Sequence, residues 1–306
     1  VVLKRCEVCI NDEGTARIEE VNGRFLCSEC IKQLPHLPDP EKVRKELDEF
    51  MRGVDRAVLA FSGGKDSIVA LHLARKRYNA DIIAVMVDHG LMSEKAIENA
   101  KAIAEMYKVP LEIMRADFTD IFRDAIRRCE SPCSRCSDRT MSLLRQYARE
   151  HGFRYIITGH ELPFGSSAVR RMRGGIYQIR LLAMMPEQER MEILKRIGVE
   201  LPELPGYTTN CLVIGVAGKL FCRKYGFSPE HRRLAALVRL GLMDRKRAEE
   251  MAKCPEPTKE QWNKVLNKLG IRESEIECLK TGQREFVSHE SRGTQNTGGG
   301  SGVAKN

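Results

Sequence analysis

Ala57-Val58-Leu59-Ala60-Phe61-Ser62-Gly63-Gly64-Lys65-Asp66-Ser67 decides the fold of this chain. Five apolar residues make a run of strand length, and a glycine pair ends it. Apolar residues at helical spacing follow, from about Asp66 to Lys76. A buried strand, a tight loop and a helix are therefore expected in that order. The glycines let the backbone approach an anion closely, and the helix N-terminus aims amide donors at it. Ser62 and Ser67 add hydroxyl donors, and Lys65 neutralises phosphate charge. Asp66 caps the helix or orients Mg2+. The Walker pattern, with four residues between Gly and Gly-Lys, does not fit this loop.

The same alternation continues outward. Strands are expected at Asp81–Val87, Leu111–Met114 and Arg154–Thr158, with helices from Ser93 to about Tyr107 and from Ser137 to about His151. Strands separated by helices imply an α/β fold, with a parallel sheet covered on both faces and right-handed crossovers. Val87-Asp88-His89-Gly90 and Thr158-Gly159-His160 close two of these strands. Strand C-terminal ends at a switch point are where such sheets bind ligands. That makes Asp88, His89, Gly159 and His160 candidate nucleotide contacts. Asp39 and Pro40 open a helix to about Arg52, whose Leu47, Phe50 and Met51 face the next domain. Helical spacing returns at residues 186–197, 229–240, 244–253 and 259–269. The stretch from Ser288 is rich in Gly, Ser, Thr and Asn and reads as a disordered tail.

The 306 residues carry 51 Lys+Arg against 42 Asp+Glu, a net charge of +9. With 42% hydrophobic and 30% charged residues the chain is globular, neither disordered nor collagen-like. No apolar run reaches the roughly 18 residues of a membrane span, and Val1 to Cys6 lacks a signal h-region, so a cytoplasmic location and no membrane are expected. Eleven cysteines are many for such a chain. Disulfides are not expected there; metal or redox chemistry is.

Cys6-x2-Cys9 and Cys27-x2-Cys30 flank two short expected strands, Thr15–Ile18 and Arg24–Leu26, around an Asn22-Gly23 turn. Each Cys-x2-Cys turn points two thiolates at one ion, and two turns make a tetrahedral Zn2+ site. Cys133 and Cys136 share the same spacing, with Cys129 four residues earlier. With one distant cysteine, Cys211 or Cys222, they can hold three irons of a [4Fe-4S] cluster and leave the fourth open. They are also read as a redox or persulfide pair, acidified by the following helix. Buried structural thiols are the third reading, and the one preferred for Cys254 and Cys278. Arg123, Arg127, Arg128, Arg135, Arg139, Arg145 and Arg149, then Arg170, Arg171 and Arg173, suit phosphate binding or simply a solvated face. Aromatic residues are only 6%, which argues against broad base-stacking platforms.

Ser62-Gly63-Gly64-Lys65-Asp66-Ser67 resembles the signature of the PP-loop ATP pyrophosphatases. The resemblance implies ATP held by its pyrophosphate portion, adenylation of a carbonyl oxygen, and displacement of AMP by nitrogen or sulfur. Within that superfamily, Cys6, Cys9, Cys27, Cys30, Cys133, Cys136 and Cys211 resemble the TtuA-type tRNA 2-thiouridine synthetases. Ile179 to Leu182, Pro186 to Glu189 and Gly198-Val199 precede Cys211 much as in that group, which favours Cys211 over Cys222. The resemblance implies tRNA thiolation, with Lys65, Asp66, Cys133 and Cys136 catalytic, a sulfur-donor protein or free sulfide, and room for a homodimer. The resemblance covers about residues 4–215, and the chain is expected to divide into a zinc module at 1–36, a linker helix at 37–54, an ATP domain at 55–215, a helical extension at 216–287 and a tail at 288–306. Two departures stand out. Glu161-Leu162-Pro163-Phe164-Gly165 replaces an Asn-x-Asp-Asp type segment, and a second C-terminal zinc module is missing. Tyr225 to Leu234, Leu240 to Leu242 and Arg245 to Glu250 are similar to PP-loop sugar amidotransferases, which keeps a nucleotide-sugar amidotransferase open. The altered segment after His160 keeps open a nucleotide- or RNA-binding module without turnover.

Overall fold

The computed structural model describes residues 3–199 and 210–280. The expected tail from Ser288 and most of the turn-rich stretch before Cys211 lie outside them.

The chain starts with a hairpin of β1 (Ile18–Val21) and β2 (Arg24–Cys27), followed by α1 (Ser28–Gln33). Asn22 and Gly23 turn it with φ of 52° and 76°. The first strand begins later than the sequence suggests. Thr15 and Ala16 donate their amides to the Asp12 carbonyl, so they form a turn instead. α2 (Pro40–Met51) starts where Asp39 Oδ1 accepts from the Glu41 amide at 2.9 Å. Its Val43, Leu47 and Met51 recur at four-residue spacing and bury one face. Phe50 docks on the rings of Tyr155 and Tyr177, 6.0 and 5.5 Å away.

The next elements follow in order: β3 (Arg56–Ala60), α3 (Lys65–Lys76), β4 (Asp81–Asp88), α4 (Glu94–Met106) and β5 (Leu111–Arg115). Then come α5 (Thr119–Arg128), α6 (Cys133–Glu150), β6 (Tyr155–Thr158), β7 (Val169–Arg171), β8 (Tyr177–Arg180) and α7 (Glu187–Arg196). The six-stranded sheet has the order β5-β4-β3-β6-β8-β7. All neighbours are parallel except β7, which runs antiparallel to β8 on the edge. From β3 the chain moves outward through β4 to β5, then returns to the other side of β3 with β6. The reversal falls between β3 and β6, so their C-terminal ends frame the crevice. The expected α/β architecture with a mostly parallel sheet is therefore what the chain adopts.

α8 (Leu212–Tyr225), α9 (His231–Arg239), α10 (Arg245–Met251), α11 (Lys259–Leu269) and α12 (Glu277–Lys280) complete the described chain. Residues 215 and 216 both fall inside α8. One apolar core joins the N-terminal cysteines, the sheet and α9 through residues such as Leu26, Leu59, Leu234 and Leu237. A second packs Phe118 and Phe122 of the α5 region against Val216 of α8 and Leu266 of α11.

Two disulfides, Cys129–Cys278 and Cys222–Cys254, overturn the expectation that such bonds are absent and that Cys254 and Cys278 lack partners. Spacing could not reveal them, because the partners are 149 and 32 residues apart and meet only through helix packing. Cys129 ends α5 in the left-handed region, φ 55°, a place usually left to glycine. Its pairing with Cys278 fixes that helix end.

Candidate functional site

The loop from Ser62 to Ser67 leaves β3 and turns into α3. Gly63 has φ +71°, and a Cβ there would lie 2.6 Å from the Ala96 carbonyl oxygen, so glycine is required for both reasons. Gly64 caps α3 without a side-chain acceptor. The first amides of that helix thus remain available to an anion. Ser67 Oγ donates to the Gly64 carbonyl at 2.9 Å, and the Gly64 amide points to Ser62 Oγ at 3.4 Å. Asn99 of α4 donates to the Gly63 carbonyl at 2.8 Å, and Asn210 to the Ser62 carbonyl at 3.3 Å. The loop is held from two sides before any ligand arrives.

Gly159 closes the crevice from β6. A Cβ on it would sit 2.7 Å from the Asp66 carbonyl carbon, so the end of β6 and the first turn of α3 touch backbone to backbone. Asp88 turns the chain after β4 by accepting from the Gly90 amide at 2.8 Å. His89 packs edge-on against Phe122 at 5.0 Å and Phe118 at 5.9 Å. Burial pulls its imidazole below the usual histidine range, and neighbouring Asp88 opposes that. His160 is exposed at the mouth.

An ionic network underlies the loop, and most of its members carry no spacing signal in the sequence. Lys65 Nζ contacts Glu187 at 3.3 Å, and Arg247 reaches the same carboxylate at 3.7 Å. Arg190, whose side chain is 2% exposed, bridges Asp66 at 3.2 Å and Glu161 at 3.7 Å. Arg233 of α9 binds Glu161 from the other side and Glu230 at 2.7 Å. Burial pushes the Asp66 carboxyl up, while Arg190 and Lys65 pull it down. Glu161 opens the segment that replaces the Asn-x-Asp-Asp type pattern. One buried carboxylate remains there, committed to two arginines and tied through Arg190 to Asp66.

In the N-terminal module, Cys6, Cys9, Cys27 and Cys30 are all buried, and their sulfurs lie within 4.8 Å of one another. Cys6 and Cys30 sulfurs stand 3.6 Å apart, as do those of Cys9 and Cys27. A tetrahedron with zinc–sulfur bonds near 2.3 Å has edges of about 3.8 Å, so the donor set fits that ion. Asn11 donates to the Cys27 sulfur and Arg239 of α9 to the Cys30 sulfur, each at 3.2 Å. Asn11 in turn pairs with His231 of α9 at 3.0 Å. Such outer contacts orient ligands and stabilise thiolates.

The central cysteines remain as a separate set. With four cysteines in disulfides, Cys133, Cys136 and Cys211 are the free ones outside the N-terminal module. Cys222 is thereby committed elsewhere. Cys211 pairs by a β-bridge with Met92, just beyond β4, and directly follows Asn210, whose side chain holds the Ser62 carbonyl. Cys133 and Cys136 occupy the first turn of α6, which begins four residues earlier than expected because Pro132 serves as its N-cap. Burial pushes the Cys133 thiol up to about 12, and charge on Cys211 adds to the effect. Cys136 and Cys211 are pushed up to about 11, again by burial, each sensing one of the other two. The acidified pair expected from the helix N-terminus is thus corrected, since desolvation outweighs the helix field. Without a positive centre these thiols stay protonated, whereas a metal centre draws them into thiolates. Each cluster cysteine binds a different iron, so its sulfurs need not crowd like the ligands of one ion. Three free thiols that sense one another's charge fit that arrangement, with the Glu230 carboxylate also acting on Cys133.

The arginine cluster divides once its partners are known. Arg127 pairs with Glu275, Arg128 and Arg135 with Asp124, and Arg139 with Asp120, at 2.6–3.3 Å. These four are largely neutralised and make a poor phosphate surface. No helix among the described residues is long and apolar enough to cross a membrane.

Comparison with known proteins agrees with the crevice geometry. Residues 39–166 match the model of the PP-loop domain. A relative from Methanocaldococcus jannaschii, itself uncharacterised, is 42% identical over 88% of this chain and 99% of its own length. This chain belongs to the PP-loop family. A tRNA-5-methyluridine(54) 2-sulfurtransferase from Pyrococcus horikoshii is 28% identical over 45% of the chain and 44% of that protein. The PP-loop chain thus spans under half the length of that curated sulfurtransferase. A solved U34-tRNA thiolase from Methanococcus maripaludis, with its [4Fe-4S] cluster, overlays 88% of the chain at 19% identity and a TM-score of 0.44, too loose a fit to argue from.

Proposed function

We propose that this PP-loop protein is an ATP-dependent sulfurtransferase acting on a nucleobase carbonyl of tRNA, that of a uridine. One observation carries the reading. Cys211, one of the three free central cysteines, directly follows Asn210, whose side-chain amide holds the Ser62 carbonyl of the phosphate loop. The matched sulfurtransferase relative supports the substrate class.

In this reading the α3 amides, Ser62, Ser67 and Lys65 hold the pyrophosphate portion of ATP. Lys65 exchanges its Glu187 contact for phosphate oxygens. Asp66, fixed by Arg190, orients Mg2+, and Asp88, His89, Gly159 and His160 border the nucleotide. The nucleobase oxygen attacks the α-phosphorus and releases pyrophosphate. Sulfide then attacks the activated carbon, and AMP leaves with the former carbonyl oxygen. Cys133, Cys136 and Cys211 would hold a [4Fe-4S] cluster whose open iron supplies a place for sulfide, from a donor protein or free in solution. Cys6, Cys9, Cys27 and Cys30 would hold structural Zn2+. The cysteine trio favours this chemistry over the nucleotide-sugar amidotransferase, which needs no such thiols.

Anaerobic purification followed by iron and zinc analysis tests the proposal. The wild type is expected to carry about four irons and one zinc, and Cys133→Ala to keep the zinc and lose the iron. The variant should also lose thiolation of a tRNA transcript supplied with ATP and sulfide. Thiolation retained without iron would overturn the cluster assignment. Pyrophosphate release that depends on a nucleotide sugar and ammonia would overturn the reaction.

A further inference from the structure

The free arginines gather on the β7 edge of the sheet. Arg149, Arg154, Arg170, Arg171 and Arg173 are all exposed, and among the described residues none of them is ion-paired. The contrast with Arg127, Arg128, Arg135 and Arg139, each on a carboxylate, is sharp. Between residues 151 and 186 the single carboxylate is Glu161, which is buried and held by Arg190 and Arg233.

The topology brings these arginines together. Arg171 faces Tyr177 of β8, and the Tyr177 amide donates to the Arg154 carbonyl at 2.8 Å. Arg154 and Arg171 therefore flank one rung of the sheet, about 10 Å apart by strand spacing. A Cβ on Gly174, in the β7–β8 turn, would lie 3.7 Å from Arg149 Cδ, so the end of α6 joins the same rim. At the other end, Arg170 and Arg180 lie over the Phe164 ring at 5.7 and 3.6 Å. Arg180 also donates to the carbonyls of Leu162 and Pro163, in the loop that continues from Glu161. The rim is thus anchored to the crevice and extends away from it.

We propose that this arginine rim is the surface on which the PP-loop protein seats the sugar-phosphate backbone of its RNA substrate. The inference rests on the tRNA reading above and names the face that reading requires. Guanidinium groups without carboxylate partners lose no ion pair when they meet phosphates, and their planar forks match phosphate oxygens. Backbone contacts of this kind set register without reading bases, which suits a rim that extends away from the reacting carbon. Charged residues on an edge strand can also serve only to block strand pairing between copies.

The test measures affinity of the full-length protein for an unmodified tRNA transcript over a range of potassium chloride. For Arg170→Gln/Arg171→Gln/Arg173→Gln the slope of log affinity against log salt should flatten by about two to three, with Kd rising at least about tenfold at 0.1 M salt. Arg127→Gln/Arg139→Gln should match the wild type. A triple variant with wild-type affinity and slope would overturn the surface and leave the sulfurtransferase reading intact. Self-association of that variant with unchanged tRNA affinity would overturn it in favour of edge protection. A wild type that binds no tRNA would overturn both the surface and the tRNA substrate.

Discussion

Gly159 shows how little room the crevice leaves. It lies at the end of β6, where a methyl group would meet the Asp66 backbone at 2.7 Å. Gly159→Ala should push the strand end from the loop, cost about 1–3 kcal/mol of stability, and abolish most of the rise in melting temperature caused by MgATP. Gly53→Ala, whose nearest contact would be an ordinary 3.6 Å, should change neither. An equal ATP response in the two variants would show that this close approach does not shape the nucleotide site. At this scale the sequence was legible wherever the chemistry is local. Ser62 to Ser67 and the paired cysteines announce themselves by spacing. Arg190, Glu187 and Asn210 do not, because their partners lie 124, 122 and 148 residues away. No spacing rule reaches so far, although Pro186 to Glu189 belong to the stretch that carries the family resemblance.

Among the elements, the long periodic ones were readable and the short or evenly apolar ones were not. β3, β4 and α11 follow their patterns closely. α8 escaped because its Val213, Val216, Ala217 and Leu220 are buried beside Gly215 and Gly218, which leaves no clean polar face to mark a helix. The β7–β8 pair escaped because β7 has three residues, two of them exposed arginines. Cys129–Cys278 pins α12 to the end of α5 in the sheet domain, and Cys222–Cys254 ties α8 to the segment after α10. Thiol titration of the denatured, unreduced and metal-stripped chain should count seven thiols, not eleven. Cys129–Cys278 closes a loop of 149 residues, so in the chain-entropy model its loss costs about 5 kcal/mol. Eleven titratable thiols, with no change in stability on reduction, would refute both bonds.

For the molecule as a whole, α9 is the element through which distant parts meet. Its His231 and Arg239 reach the N-terminal cysteine module, and its Arg233 reaches Glu161 beneath the ATP loop. The helix is nine residues long and well packed, with Leu234 and Leu237 fully buried. A displacement at one end is therefore felt at the other. Thermodynamic reciprocity then applies: if a metal in the module strengthens ATP binding, ATP must retain the metal by the same factor. Couplings between sites in proteins typically amount to 1–3 kcal/mol, or about 5- to 150-fold in affinity. Calorimetric titration of MgATP into metal-loaded and chelator-treated protein should differ by a factor in that range, and saturating ATP should slow metal loss to a chelator. Identical ATP affinities would show the two sites to be independent. With such coupling, a chain that has not yet acquired its metal would bind ATP weakly, so the cell would spend little nucleotide on incompletely assembled copies.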